Sequence, residues 1–336
     1  MDVVGRIAEA VLYEGYVLWP YRKSAMKNQQ RWTFGGVFPR AYSKARGEDD
    51  PWLMQTQCLV LGDGAAKVEV KVRFLHVTER KVGTKSGEIL EFVEELQVGG
   101  DHYLPWDEAT EREVTIRQRR LHELQDTPER ARIDIPAGSS QEEIKGPTGD
   151  VLGAFVRSWL ALSGTVEVEV EALREGLFRL TVKITNTSPW EGEDRANTLR
   201  RTFCSTHTTL QVEGGSFVSM TDPPGELQRL AEGCENKKTW PVLVGEEGVQ
   251  DMLLSSPIIL SDYPQIAPES PGDMFDGGEI DQLLILNILT LTDEEKAEMR
   301  ASDLRAREIL ERCESLSQEE LMNLHGAIRD FRVLRD

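Results

Sequence analysis

Thr165-Val-Glu-Val-Glu-Val170, the turn Arg174-Glu-Gly176 and the returning run Phe178-Arg-Leu-Thr-Val-Lys-Ile-Thr185 alternate apolar and polar side chains with a period of two. That period puts one side chain set on each face of a pleated strand, so the stretch reads as a hairpin with one wet face and one buried face. Working outward, residues 57–62 and 67–78 read as a second hairpin turning at Gly62-Asp63-Gly64, with Val68, Val70, Val72 and Phe74 alternating against Glu69, Lys71 and Arg73. A third is expected from Thr208–Val212 and Ser216–Met220 across Glu213-Gly214-Gly215, closed by Asp222-Pro-Pro-Gly225. Three such hairpins predict an α+β chain that is predominantly antiparallel β-sandwich, not a parallel nucleotide-binding sheet.

Glu88–Val98 and Arg112–Gln118 are further amphipathic segments, Asp126–Ile135 is polar, and Pro136–Ser140 has loop chemistry. From Asp281 the period changes. Thr292 with Glu295, and Ser317 with Glu320, have capping-box spacing, which predicts a C-terminal helical segment. In its last helix Leu321, Leu324, Ile328 and Phe331 share a stripe, expected to cover the chain's own core or a partner groove. The organisation expected is an aromatic-rich N-terminal β domain over 1–145, a β-sandwich domain with a proline-rich strap over 146–280, and helices over 281–336 packing on the body.

The chain has 336 residues, and 58 Asp and Glu against 39 Lys and Arg give a net charge of −19. That field repels polyanions, so nucleic acid and anionic membrane are poor partners. No run approaches the roughly 20 apolar residues of a membrane-spanning helix, and Met1–Leu12 lacks the pattern of a signal peptide. Cys58, Cys204, Cys234 and Cys313 form no CxxC pair, which points to free thiols and a cytoplasmic setting.

No phosphate loop, HExxH, GxSxG, GxGxxG after a strand, or EF-hand spacing is present, so no catalytic residues are assigned and no cofactor is expected. Two groups remain. The first 52 residues are rich in aromatic rings around a basic stretch, Arg22–Arg31; Tyr16, Trp19, Tyr21, Arg22, Arg31 and Trp32 are candidate partner-binding anchors, the alternative being rings that plug the end of the sheet. The second group is a weak candidate metal set: Cys204 and His207 with Asp273, Asp276 and Glu279. Cys204 and His207 are three apart and would face opposite sides of a regular strand, so they share an ion only if the chain turns between them. The acids from Asp262 to Asp281 could equally cap a helix and order a loop.

Several stretches together resemble a poorly characterised bacterial family: Leu12-Tyr-Glu-Gly-Tyr16, Pro20-Tyr-Arg22 with Ser24-Ala25 and Lys27-Asn28, Arg31-Trp-Thr-Phe-Gly-Gly-Val37, Ser205-Thr-His-Thr208, Ser256-Pro-Ile-Ile-Leu260 with Asp262-Tyr-Pro264, Ala267-Pro-Glu-Ser-Pro-Gly-Asp273, and Leu289-Thr-Leu-Thr-Asp-Glu-Glu-Lys296. Genes of that family sit in clusters for actinobacterial-type oxygen-tolerant [NiFe]-hydrogenases. The resemblance implies a non-catalytic accessory protein, a chaperone or scaffold, whose partner is a hydrogenase subunit or maturation protein. It leaves open a metal-binding maturation or delivery factor and a structural subunit of the enzyme. It transfers no site residues.

Overall fold

A computed structural model describes residues 3–18, 20–25, 28, 31–32, 34–46, 49–87, 89–192, 194–265 and 281–317. In chain order the elements are α1 (Val3–Tyr13), α2 (Arg40–Arg46), β1 (Leu53–Ser86), β2 (Ile89–Val93), β3 (Leu96–Val98), β4 (Asp101–Tyr103), β5 (Trp106–Arg120), α3 (Leu121–Asp126), β6 (Glu129–Ile135), β7 (Gly138–Lys145), β8 (Val151–Trp159), β9 (Leu162–Arg174) and β10 (Leu177–Asn186). They continue with α4 (Arg195–Leu199), β11 (Cys204–Phe217), α5 (Gln228–Glu232), β12 (Trp240–Leu243), β13 (Met252–Ser256), α6 (Asp281–Leu289), α7 (Asp293–Ser302) and α8 (Leu304–Ser315). Every strand pairing among them is antiparallel.

The hairpin quoted first forms as expected. β9 and β10 pair with Val168 opposite Val182 and Val166 opposite Ile184, all buried, while Lys183 on the wet face meets Glu169 at 2.6 Å. The other two expected hairpins do not form. Residues 53–86 are one continuous strand, and Gly62–Ala66 is a bulge within it. The Asp63 carboxylate accepts hydrogen bonds from the Ala65 and Ala66 N–H groups at 2.9 and 3.0 Å, the local chemistry that also builds turns. Glu213–Gly215 likewise lies inside β11, because β1 and β11 run past one another and deform at the same level: Gly62 stands opposite Gly215. A Cβ on Gly215 would lie 2.6 Å from the Leu61 carbonyl, so the crossing requires glycine. Pro136–Ser140, expected as loop, runs into β7.

β1 is the spine of an eleven-stranded sheet. Its first part pairs with β10, and beyond the bulge β5 takes over, with β11, β8 and β2 also on its edges. The strands are therefore bonded into one sheet, and β3 and β4 form the second, two-stranded one. Both this sheet and the largest core cluster draw residues from each side of the division expected at 145/146.

β1 also separates two cores. Val68, Val70, Val72 and Phe74 face the body cluster with Val166, Val182 and Phe203, whereas Leu75 and Val77 belong to a second cluster with Tyr16, Tyr21, Trp32 and Trp106 and with residues of α6–α8. The helical segment thus closes over the N-terminal aromatic stretch. The expected capping box at its second helix is present: the Glu295 carboxylate accepts from the Thr292 N–H at 2.9 Å, and the Thr292 hydroxyl accepts in turn from the Glu295 N–H at 3.3 Å. Glu320 and the stripe Leu321, Leu324, Ile328 and Phe331 lie outside the described residues. Among the described residues no helix is long and apolar enough to cross a membrane.

Candidate functional site

The N-terminal stretch is interior. Tyr16, Tyr21, Arg31 and Trp32 are buried and offer no area to a partner; Arg22 is half-buried and pairs with Glu295 of α7 at 3.0 Å; Trp19 lies outside the described residues. Tyr16, Tyr21, Arg31 and Trp32 are corrected accordingly: with Arg22 they hold the helical cap of α6–α8 onto the body. The physical reason is geometric. Planar rings and a planar guanidinium stack, and here the partners come from the same chain.

Arg31 is 6% exposed. Its guanidinium lies over the Trp106 ring at 3.7 Å and the Trp32 ring at 4.2 Å, donates to the Tyr16 carbonyl at 3.1 Å, and donates also to the Asp107 carbonyl. Burial pulls its proton affinity below the ordinary arginine value, opposed by the charges of Asp303 and Asp107. The Tyr16 hydroxyl donates to Asp303 at 2.9 Å, and the same carboxylate caps α8 by accepting from the Arg305 N–H at 2.8 Å. Burial, then the Asp303 charge, raises the Tyr16 hydroxyl far above the usual phenol range. Trp32 holds a φ of 57°, a region that bulky residues rarely adopt and that stacking must maintain.

Beside this stack opens a cleft of about 850 Å³. Lys23, Arg31, Arg80, Lys81, Arg195 and Arg200 line it, against three acids, Glu79, Glu94 and Asp107. On a chain of net charge −19 this lining is locally cationic; at the ~8 Å screening length of physiological salt a ligand feels the near charges, which include Glu108 and Asp50 behind the wall. Much of this lining comes from β1, β2 and α4 with the residue after it. β1 carries Arg80, whose guanidinium donates to Glu108 at 2.7 Å and to the Leu104 and Ser302 carbonyls at 2.8 Å each. β1 also carries Lys81; β2 brings Phe92, 58% exposed, with the Lys81 ammonium 5.6 Å from its ring centroid. The short α4 and its C-terminal residue supply Arg195, held by Asp50 at 2.8 Å, and Arg200, between Asp107 at 3.0 Å and Glu79 at 3.2 Å. Four buried donors on these walls have no acceptor among the described residues: Arg80 Nε, Arg200 Nε, Trp32 Nε1 and Trp106 Nε1.

Sequence reading missed Arg80, Lys81, Trp106, Arg195 and Arg200. No single window joins them; the one available signal is the cation-rich turn Arg195–Arg201 after the acids at 191, 193 and 194.

Cys204 and His207 lie in one strand, β11, with a bulge between them. Ser205 takes a φ of 49°, the register slips against β1 between Arg73 and Leu75, and the Ser205 and Thr206 N–H groups donate to the Phe34 and Gly35 carbonyls at 3.2 and 3.0 Å. Both side chains are fully buried, and each faces backbone: the Cys204 thiol is near the Leu199 and Thr202 carbonyls, and His207 Nδ1 lies 3.2 Å from the Ser205 carbonyl. Burial pushes the Cys204 thiol up to about 12 and pulls His207 down to about 4, so both are neutral at pH 7. Among the described residues no three His, Cys, Asp or Glu side chains group to hold a metal ion. Asp273, Asp276 and Glu279 lie outside those residues. Asp262, the first acid of that cluster, orders a loop, accepting from the Ser219 and Thr221 hydroxyls and the Leu243 N–H at 2.6, 2.8 and 2.8 Å.

Compared with family models, curated proteins and solved structures, the chain matches none.

Proposed function

We propose that this chain is a non-catalytic accessory protein that acts by protein–protein binding in the maturation of a [NiFe]-hydrogenase. The observation that carries the binding role is the cleft, where cations gather on an otherwise acidic chain and are held in place by the Arg31–Trp32–Trp106 stack and by Arg80. The hydrogenase setting rests on the sequence resemblance alone. Contact with a partner would run through the cleft rim, Lys81, Phe92 and Arg195, in place of the buried rings of the first 32 residues.

A metal-delivery role has less to stand on, since Cys204 and His207 are closed within the sheet and a thiol held protonated is a poor ligand. The test is affinity purification of the tagged chain from its native host, in cells making and not making hydrogenase. A hydrogenase subunit or maturation protein enriched in the first and missing from the second supports the proposal. If the tagged chain brings down neither, the hydrogenase role is lost.

A further inference from the structure

We infer that the cleft receives a short, extended acidic peptide segment, with carboxylates meeting the guanidinium and ammonium groups and an apolar side chain resting on Phe92. This rests on the binding role proposed above and names the chemistry of what is bound.

Three observations converge on it. The first is charge. Six cations line the cleft against three carboxylates, and Glu108 and Asp50 just behind the wall hold Arg80 and Arg195, so the surplus is one cation; Lys81 and Arg195 are exposed at the rim, where an ammonium and a guanidinium can meet incoming carboxylates. The second is a set of polar atoms: Arg80 Nε, Arg200 Nε, Trp32 Nε1 and Trp106 Nε1 are buried with no acceptor among the described residues, and Trp32 and Trp106 are 6% and 5% exposed. Buried donors without partners are costly; others, such as Arg112 Nε and Arg179 Nε, lie elsewhere in the fold, so at the cleft these four add to the donor-rich character that the cations already give its lining. Third is shape. A cavity of about 850 Å³ is far larger than a single oxyanion, it spreads its cations over β1, α4 and the N-terminal segment, and its rim carries an exposed ring.

Net charge decides between acidic ligands. At −19 the chain repels a long polyanion approaching from a distance, which disfavours nucleic acid, whereas a short segment presents few charges beyond those the cleft neutralises.

The test uses the full chain and a fluorescein-labelled peptide, Glu-Glu-Phe-Glu-Glu, followed by fluorescence anisotropy. Binding is expected at low ionic strength, weakening as salt is raised through the range in which the screening length falls from about 14 to about 6 Å. Lys81 and Arg195 are largely exposed, so Lys81→Glu with Arg195→Glu is expected to weaken binding about tenfold or more while far-UV circular dichroism stays unchanged. If that pair disturbs the fold, Lys81→Gln with Arg195→Gln gives the same readout with no new charge. Lys67→Glu, a reversal on β1 outside the cleft, is expected to leave binding within about twofold.

No binding to the unaltered chain, or equal binding to the cleft variants, overturns the inference. So does displacement of the peptide by inorganic phosphate or by oligothymidylate at a lower concentration than unlabelled peptide requires, because a free oxyanion or a nucleic acid would then be the better fit. Peptide binding without capture of a hydrogenase component removes the proposed setting and leaves the cleft chemistry standing; capture without peptide binding does the reverse.

Discussion

The body of the sheet and the cap over its end are held together by different means. In the body, β9 and β10 pair over ten positions, and the buried valines and isoleucine of that hairpin have neighbours placed by the ladder itself. In the cap, single side-chain contacts join residues more than two hundred positions apart: the Tyr16 hydroxyl to Asp303, the Lys23 N–H to the Ser302 hydroxyl at 3.1 Å, the Ser24 N–H to Glu298 at 3.0 Å, and Arg80 to the Ser302 carbonyl. A ladder repeats one interaction, so losing one position is tolerated locally; the cap depends on a few polar groups that are buried and cannot find water if a partner is removed. The cleft lies beside the contact of cap and body, walled by the N-terminal segment under the cap and by β1, β2, α4 and the start of β5.

The largest expected effect is in the body. Phe203 is fully buried, its ring 4.6 Å from that of Phe74, so Phe203→Ala should cost about 3–5 kcal/mol and lower the urea midpoint of the whole chain. Loss of hydrogen-exchange protection confined to the cap after this substitution would break the comparison, since the body is expected to carry the cap.

Acid should act on the body next. His76 and His207 are fully buried and pulled down to about 4, by burial first and, for His76, by Arg112 second. The unfolded chain takes up these protons near pH 6.5 and the folded chain only near 4, so stability falls as the pH drops through that window and is flat above it. Each histidine accounts for about 3 kcal/mol of that fall. Urea denaturation at pH 7 and pH 4.5 should show a smaller loss in His76→Gln than in the unaltered chain; an equal loss would show that His76 takes no part in it.

Tyr16→Phe is the smallest change and the sharpest for the comparison. It strands the Asp303 carboxylate, with an expected cost of about 1.5–3 kcal/mol, and it should speed amide exchange in α7 and α8 while β9 and β10 stay protected. Equal loss in both regions would mean that cap and body unfold as one unit.

These contrasts bear on what could be read in advance. The period of two in Thr165–Thr185 was enough to give strands, turn and buried face, because each residue's side follows from its neighbours alone. Gly62-Asp63-Gly64 misled for a physical reason: an Asx-type turn and a bulge use the same residues and the same hydrogen bonds from Ala65 and Ala66, and the choice depends on whether the chain beyond doubles back or finds β11 and β5. The cluster from Tyr16 to Trp32 was legible as aromatic and basic, but nothing in it says whether the surface covering it is another protein or the chain's own helices.

Sequence by itself determined the antiparallel, strand-rich character, the helical turn of the C-terminal segment with its Thr292 cap, and the acidic charge, all of them properties of composition or of neighbours a few positions apart. Tertiary structure alone decided that Tyr16, Tyr21 and Trp32 are interior, that Cys204 and His207 are closed, and that cations from residues 23 to 200 face one cleft. Those outcomes depend on contacts between distant parts of the chain, where burial and charge are set by what packs against a residue and not by what precedes it.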